Sequence, residues 1–275
     1  MSLTRRSLLG LLAASPTLAS SSSSSLRLLF VRHSTALVET GGLRLLFDPS
    51  LSPSFGVQGA LREASGHTAP PPGTLGRVDV VGVSCGEPGS FDPDTIEALD
   101  VRRARFLVPD DSVRKRLAQL GHSRVRVVAP GDVVEVGGLR VTVSPGRGAI
   151  SRAVGFHVDG GGAPALWHTG PLPPLEVDAQ VMSFAADHPA DVVCACASGL
   201  GLSSGGPPIF ADVDDALALA RLARARVLLP IGRGALPAGL LSWALTAPPR
   251  SLPVTTSRDP RIEDPVAGTW YRFRA

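Results

Sequence analysis

The stretch Val78-Asp79-Val80-Val81-Gly82-Val83-Ser84-Cys85-Gly86-Glu87-Pro88-Gly89-Ser90-Phe91-Asp92 sets the reading of the chain. Val78 to Val83 is apolar apart from Asp79, as a strand covered on both faces must be. Ser84 to Phe91 is a loop dense in Gly, Pro and Ser, and Asp92 followed by Pro93 is a helix N-cap with proline at the first helical position. The same strand, loop and helix grammar runs outward in both directions. Upstream, Leu26 to Arg32, Ala36 to Thr40 and Leu43 to Phe47 read as strands, the last two joined by a Gly41-Gly42 hairpin turn. Downstream, the spacing predicts a strand from Arg105 to Val108, a helix from Ser112 to Leu120 stopped by Gly121, and a strand from Arg124 to Ala129. Further strands are expected from Asp191 to Cys196 and from Arg226 to Ile231, with an amphipathic helix from Asp212 to Ala225 between them.

One phrase occurs twice. Val38-Glu39-Thr40-Gly41-Gly42-Leu43-Arg44 is echoed 96 positions later by Val134-Glu135-Val136-Gly137-Gly138-Leu139-Arg140, which points to two structurally similar halves.

Composition sets the outer bounds. The chain has 275 residues, 44% hydrophobic and 19% charged, enough for a real core and too apolar for disorder. Aromatics are 5%, while 30 Gly and 25 Pro make a fifth of the residues, so many short elements with tight turns are expected, β-rich or α/β. The apolar run Leu8 to Ala14 falls far short of the roughly 20 residues that a spanning helix needs, so no integral membrane segment is expected. The formal charge of +3 rests on arginine, with Lys115 the single lysine, and falls to +1 without residues 1–25, which excludes a nucleic-acid-binding footprint.

The first 25 residues read as a targeting segment. Arg5-Arg6-Ser7-Leu8-Leu9, the short apolar run, and small residues at Thr17 and Ala19 resemble a twin-arginine export signal, followed by a serine spacer over Ser20 to Ser25. The absence of any acid before Glu39 also suits an organelle transit peptide. The expected organisation is a segment at 1–25 and one domain at 26–275, periplasmic or extracellular on the first reading.

His33-Ser34-Thr35, the Gly-Gly turn and Phe47-Asp48-Pro49 resemble the opening of the metallo-β-lactamase superfamily, in the branch similar to L-ascorbate 6-phosphate lactonase. The resemblance implies an α+β fold: an αββα sandwich of two mixed β-sheets between outer helices. It also implies that the strand ending at Ser84 should deliver Ser-His-x-His-x-Asp-His. Here Cys85, Glu87 and Ser90 stand in the three histidine slots and Gly89 in the aspartate slot. Gly148, after Val143-Ser144-Pro145-Gly146-Arg147, stands near the next histidine. In Leu166-Trp167-His168-Thr169-Gly170, His168 replaces the bridging aspartate, and Leu229-Pro230-Ile231-Gly232 lacks the final histidine.

A two-zinc site of this type needs about four or five histidines with H-x-H spacing and a bridging carboxylate. The six histidines, at 33, 67, 122, 157, 168 and 188, are never closer than 11 residues, and only His33 and His168 fall on family landmarks. The dinuclear centre cannot be assembled from them, so no resident cofactor is expected and the water activator of the family is missing. Cys85, Glu87 and His168 remain as candidate catalytic residues, either as ligands of one zinc or as a Cys85 nucleophile activated by His168. Against both stands a buried Cys85 that only packs and a solvated Glu87. His33, Asp48, Ser90, Asp92, Gly148 and Gly232 are expected around the pocket, with His33 a structural hydrogen-bonding residue and Asp48 holding the turn at Pro49.

Cys194 and Cys196 point to one face of a strand, as core residues do, and three cysteines leave at least one thiol free. Trp167, Trp243 and Trp270 read as core anchors, and Ser198 to Gly206 as a loop at the pocket rim. The resulting expectation is a non-catalytic pseudoenzyme that binds an unknown small molecule. The alternative is a lactonase- or phosphodiesterase-like hydrolase with an altered mononuclear or thiol site.

Overall fold

The computed structural model describes residues 25–52, 54–55, 61–63, 69–148, 151–175, 178–202, 204, 209–233, 235–237, 245–246 and 255–275. The N-terminal segment, His67 and Trp243 therefore lie outside the described residues.

The first half carries β1 (Ser25–Arg32), β2 (Thr35–Thr40), β3 (Leu43–Phe47), the short β4 (Ser54–Phe55) and β5 (Leu61–Glu63), and β6 (Val80–Gly82). It continues with α1 (Pro93–Ala98), β7 (Arg105–Val108), α2 (Asp111–Gln119) and β8 (Val125–Val127). The second half carries β9 (Val133–Val136), β10 (Leu139–Arg147), β11 (Arg152–Gly160), β12 (Leu166–His168), α3 (Ala179–Asp187) and β13 (Val192–Cys196). After β14 (Gly201–Leu202) come α4 (Val213–Leu222), β15 (Val227–Ile231), β16 (Ala235–Pro237), β17 (Leu245–Thr246), β18 (Arg261–Ile262) and β19 (Thr269–Arg274).

Two seven-stranded mixed sheets form, in the orders β19-β1-β2-β3-β6-β7-β8 and β18-β15-β13-β12-β11-β10-β9. Alternate residues of each strand serve different cores, which explains why the strands read as unbroken apolar runs. In β1, Leu26, Leu28 and Phe30 enter the core between the sheets, while Leu29 and Val31 pack with Phe91, Ile96, Val113 and Leu117 of the α1 and α2 region. In β13, Val192 and Cys194 face the inter-sheet core, and Val193 and Ala195 pack with Val181, Leu217 and Ala220 of α3 and α4. This is the αββα sandwich that the sequence implies.

The repeated phrases meet each other. A Cβ added at Gly41 would lie 2.8 Å from the Leu139 side chain, and one at Gly137 would lie 2.9 Å from that of Leu43. Leu43 and Leu139 are equivalent positions in the repeat, as are Gly41 and Gly137, so the contact is reciprocal in the manner of an internal two-fold. All four turn glycines have φ between +55° and +84°, the left-handed region where a Cβ is disfavoured.

The core helices and strands lie within a few residues of their expected limits. α3 and β19 have no counterpart in the sequence reading. Trp167 is fully buried, as a core anchor should be, but Trp270 is 39% exposed, with the Arg27 guanidinium 4.4 Å above its ring. That corrects its expected core role: on β19, at the outer edge of the first sheet, its ring has an arginine to lie against and remains partly open.

Candidate functional site

The site lies at the end of the sandwich where β3, β6, β12, β13 and β15 finish and the His33-Ser34 turn crosses over. Asp48 immediately follows β3. It is completely buried, with φ +49°, a conformation that non-glycine residues seldom hold unless their surroundings enforce it. The Ser84 backbone N–H and hydroxyl both donate to its carboxylate, each at 2.7 Å. From the other side, the Thr35 hydroxyl donates to the Asp48 carbonyl oxygen at 2.6 Å. Burial raises the Asp48 pKa, while the proximity of His168 and the hydrogen bonds from Ser84 and Ser34 oppose the rise. Asp48 thus fixes the start of the 84–91 loop.

Beyond Ser84 the loop is tied to both sheets. Val154 N–H donates to the Ser84 carbonyl at 2.9 Å, and Cys85 forms an isolated bridge with Ala153. Arg116 of α2 donates to the Gly86 carbonyl at 2.6 Å and lies over the Phe91 ring. The Cys85 thiol is buried, and desolvation, followed by the negative charges of Asp48 and Glu87, pushes its pKa up to about 12. At neutral pH it is a neutral thiol. Ser90 lies in the same loop, its hydroxyl 3.2 Å from that of Ser84.

The remaining ligand positions of the family are closed, committed to other partners or reduced to glycine. Glu87 turns to Ser151, whose N–H and hydroxyl donate to its carboxylate at 3.2 and 3.0 Å. A Cβ at Gly148 would fall 2.6 Å from the Ser151 carbonyl oxygen and 3.0 Å from that carboxylate, so the position is closed to any side chain. Gly232 has φ +74°, and the Cys196 sulfur lies 3.4 Å from where its Cβ would be. His168 is fully buried, stacked on Phe47 with ring centroids 5.2 Å apart, and its Nε2 lies 2.8 Å from the Ser34 carbonyl oxygen. That contact commits Nε2–H as a donor and leaves Nδ1 as the unprotonated nitrogen, buried with no hydrogen-bond partner among the described residues.

His33, also buried and at φ +49°, has its Nε2 3.0 Å from the Ser52 carbonyl oxygen. Asp92 caps α1 by position but spends its carboxylate on the Thr95 hydroxyl at 2.5 Å rather than on the pocket.

Between these elements opens a cavity of about 80 Å³, lined among others by His33, Cys85, Glu87, Ser90, Cys196 and Gly232. Asp48, Asp92, Gly148 and His168 lie outside its lining. Ser198 and Leu200, of the loop expected at the pocket rim, complete the wall together with Cys196, Phe210 and Pro171, which were not expected there. For Cys196 a signal existed: it ends a buried strand, on the face where the inter-sheet core opens. Burial pushes its thiol up to about 11.

Among the described residues, no group of three His, Cys, Asp or Glu side chains could hold a metal ion. With Glu87 held by Ser151, His168 by Ser34 and two ligand positions reduced to glycine, the residues present do not fit the family's metal centre.

A family model described as the beta-lactamase superfamily domain matches residues 27–232, and the chain belongs to that superfamily. No curated protein sequence matches it. Solved structures share the fold at low identity. A possible metal-dependent hydrolase from Veillonella parvula is 13% identical, with a TM-score of 0.66 over 77% of this chain and 86% of its own. The isothiocyanate hydrolase from Delia radicum gut bacteria is 17% identical, with a TM-score of 0.63 over 78% and 88%. Igni18, a metallo hydrolase from Ignicoccus hospitalis, is 16% identical, with a TM-score of 0.60 over 91% and 99%.

Proposed function

We propose that this protein is a pseudoenzyme of the superfamily, which uses the cleft at the strand ends to bind a small, weakly polar molecule without a metal. The observation that carries the reading is how the ligand positions are occupied. Ser151 and Glu87 close the position at Gly148, the Cys196 thiol stands against Gly232, and His168 is committed to the Ser34 carbonyl. A cleft that had only lost its ligands would retain open space at Gly148 as it does at Gly232, which still lines the cavity. Apart from His33 and Glu87, whose carboxylate is bonded to Ser151, the wall is made of neutral thiols, hydroxyls and apolar groups, which suits an uncharged ligand of a few heavy atoms.

Elemental analysis of the purified protein tests this directly: zinc, iron and manganese near zero equivalents are expected, and about two tightly held ions overturn the reading. Thermal shifts with small neutral compounds should be lost in Cys196→Phe, which fills the cavity.

The alternative, a lactonase- or phosphodiesterase-like hydrolase with one zinc or a Cys85 nucleophile, has the hydrolase names of the structural neighbours in its favour. The raised pKa of Cys85 counts against its thiol form. Hydrolysis abolished by Cys85→Ala would revive it. We also propose that residues 1–25 direct export, a reading carried by the Arg5-Arg6 pair and the apolar run after it.

A further inference from the structure

A second cleft lies at the opposite end of the sandwich. It surrounds the Gly41-Gly42 turn, whereas the first cleft is lined by His33 and Ser34 just before β2, so the two are separated by the length of that strand, roughly 17 Å. It has a volume of about 480 Å³ and is lined by three arginines, Arg27, Arg44 and Arg272, and one acid, Glu39. These four side chains form a row across neighbouring strands: Arg272 pairs with Arg27, Arg27 with Glu39, and Glu39 with Arg44.

The charges in this row do not balance. Glu39 is shared, 2.7 Å from Arg27 and 3.6 Å from Arg44. Asp79, next along the row, is engaged by Arg77 at 3.1 Å and by the Arg44 backbone N–H at 3.1 Å. Arg272 has no carboxylate partner among the described residues and stands directly across from another arginine, an arrangement that is unfavourable by itself. The internal repeat supplies a control. Its equivalent row is Glu135, Arg140 and Asp159, where the arginine lies between two acids and bonds Asp159 through both Nε and Nη2. Two of the lining residues, Thr40 and Arg44, hold polar atoms, Oγ1 and Nε, that are buried with no partner among the described residues.

We propose that this cleft binds the phosphoryl group of a soluble small molecule. A phosphate monoester carries between one and two negative charges at neutral pH, and its oxygens match guanidinium forks, which fits three arginines set against one carboxylate. The inference is independent of the reading of the first cleft.

The test is calorimetric titration of the full chain with inorganic phosphate and with pyrophosphate at constant ionic strength, with Trp270 fluorescence as a second readout because Arg27 lies over its ring. Saturable binding is expected. Arg272→Gln removes a surface residue that has no ion-pair partner to lose, and it should weaken binding about tenfold, the loss of one charged hydrogen bond. Arg140→Gln, in the repeat-related row, should leave it unchanged. No saturable binding of either anion, or equal binding by Arg272→Gln, overturns the proposal. Co-sedimentation with phosphatidylglycerol vesicles in place of free-anion binding overturns the assignment to a soluble ligand.

Discussion

Asp48 shows how a single residue can hold a site together after its chemistry has changed. Its carboxylate is the sole described acceptor for the Ser84 N–H, and Ser84 is the hinge from which the 84–91 loop departs. Asp48→Ala leaves that buried N–H without a partner and retains a side chain in the left-handed region, so a loss of about 3 kcal/mol is expected in urea denaturation. Asp48→Asn keeps an acceptor for the N–H, tolerates the backbone, and lets the Ser84 hydroxyl reverse its role, so its cost should be smaller by about 1–2 kcal/mol. Equal losses for the two variants would show that the negative charge, rather than the hydrogen bonds, is what the fold requires. The Asp-Pro turn after a buried strand was legible in the sequence because it has a local physical meaning, whereas the bonds from Ser84, 36 residues away, have none. The role of Cys196 was not legible either. Its position at the end of buried β13 was visible, but the approach of Gly232, just after β15, where a Cβ would lie 3.4 Å from the Cys196 sulfur, has no local pattern.

At the scale of elements, the contact between β11 and α3 carries a titration. His157 lies in β11 with its Nε2 2.9 Å from the Pro189 carbonyl oxygen. Its Nδ1 is 3.5 Å from Asp159, the His188 ring centroid is 5.8 Å away, and Arg140 adds a more distant positive charge. Burial dominates and holds the His157 pKa below its ordinary value of 6.5. The unfolded chain therefore takes up this proton first as the pH falls. The resulting stability is complete above about 6.5 and declines as the pH drops below it. Melting temperatures measured from pH 7 to pH 5 should fall less steeply in His157→Gln than in the native protein, and identical slopes would remove His157 as the cause. α3 itself escaped the sequence reading, although Asp178 caps it through two backbone N–H bonds. Its apolar positions Val181, Phe184 and Ala185 are few, and Met182 is exposed on its outer side. By contrast, α4 was legible because Asp212 and Asp215 complete a capping box ahead of a longer apolar face.

For the molecule as a whole, the paired hairpins join the two sheets. Because the contacts are reciprocal, Gly41→Ala and Gly137→Ala should destabilise by similar amounts, each about 2–3 kcal/mol from a methyl group forced against a leucine plus left-handed strain. Gly42→Ala meets nothing within 4 Å and should cost only the strain, about 1 kcal/mol. Denaturation midpoints for the three variants check this, and a Gly42→Ala loss equal to the others would show that the leucine contact contributes nothing. The repeat that predicts this was visible as six identical residues in a stretch of seven. Visible strands, turns and caps gave a β-rich or α/β chain and the family resemblance its layering, whereas the β19 partner of β1 is set by pairing between distant segments and had no local signature. That pairing constrains how the protein is made. While a ribosome is still translating the region before Thr269, the outer edge of β1 has backbone groups open to any passing strand, and the sandwich can close only after that late segment emerges. A nascent chain stalled before this point should be a client for chaperones that shield such edges.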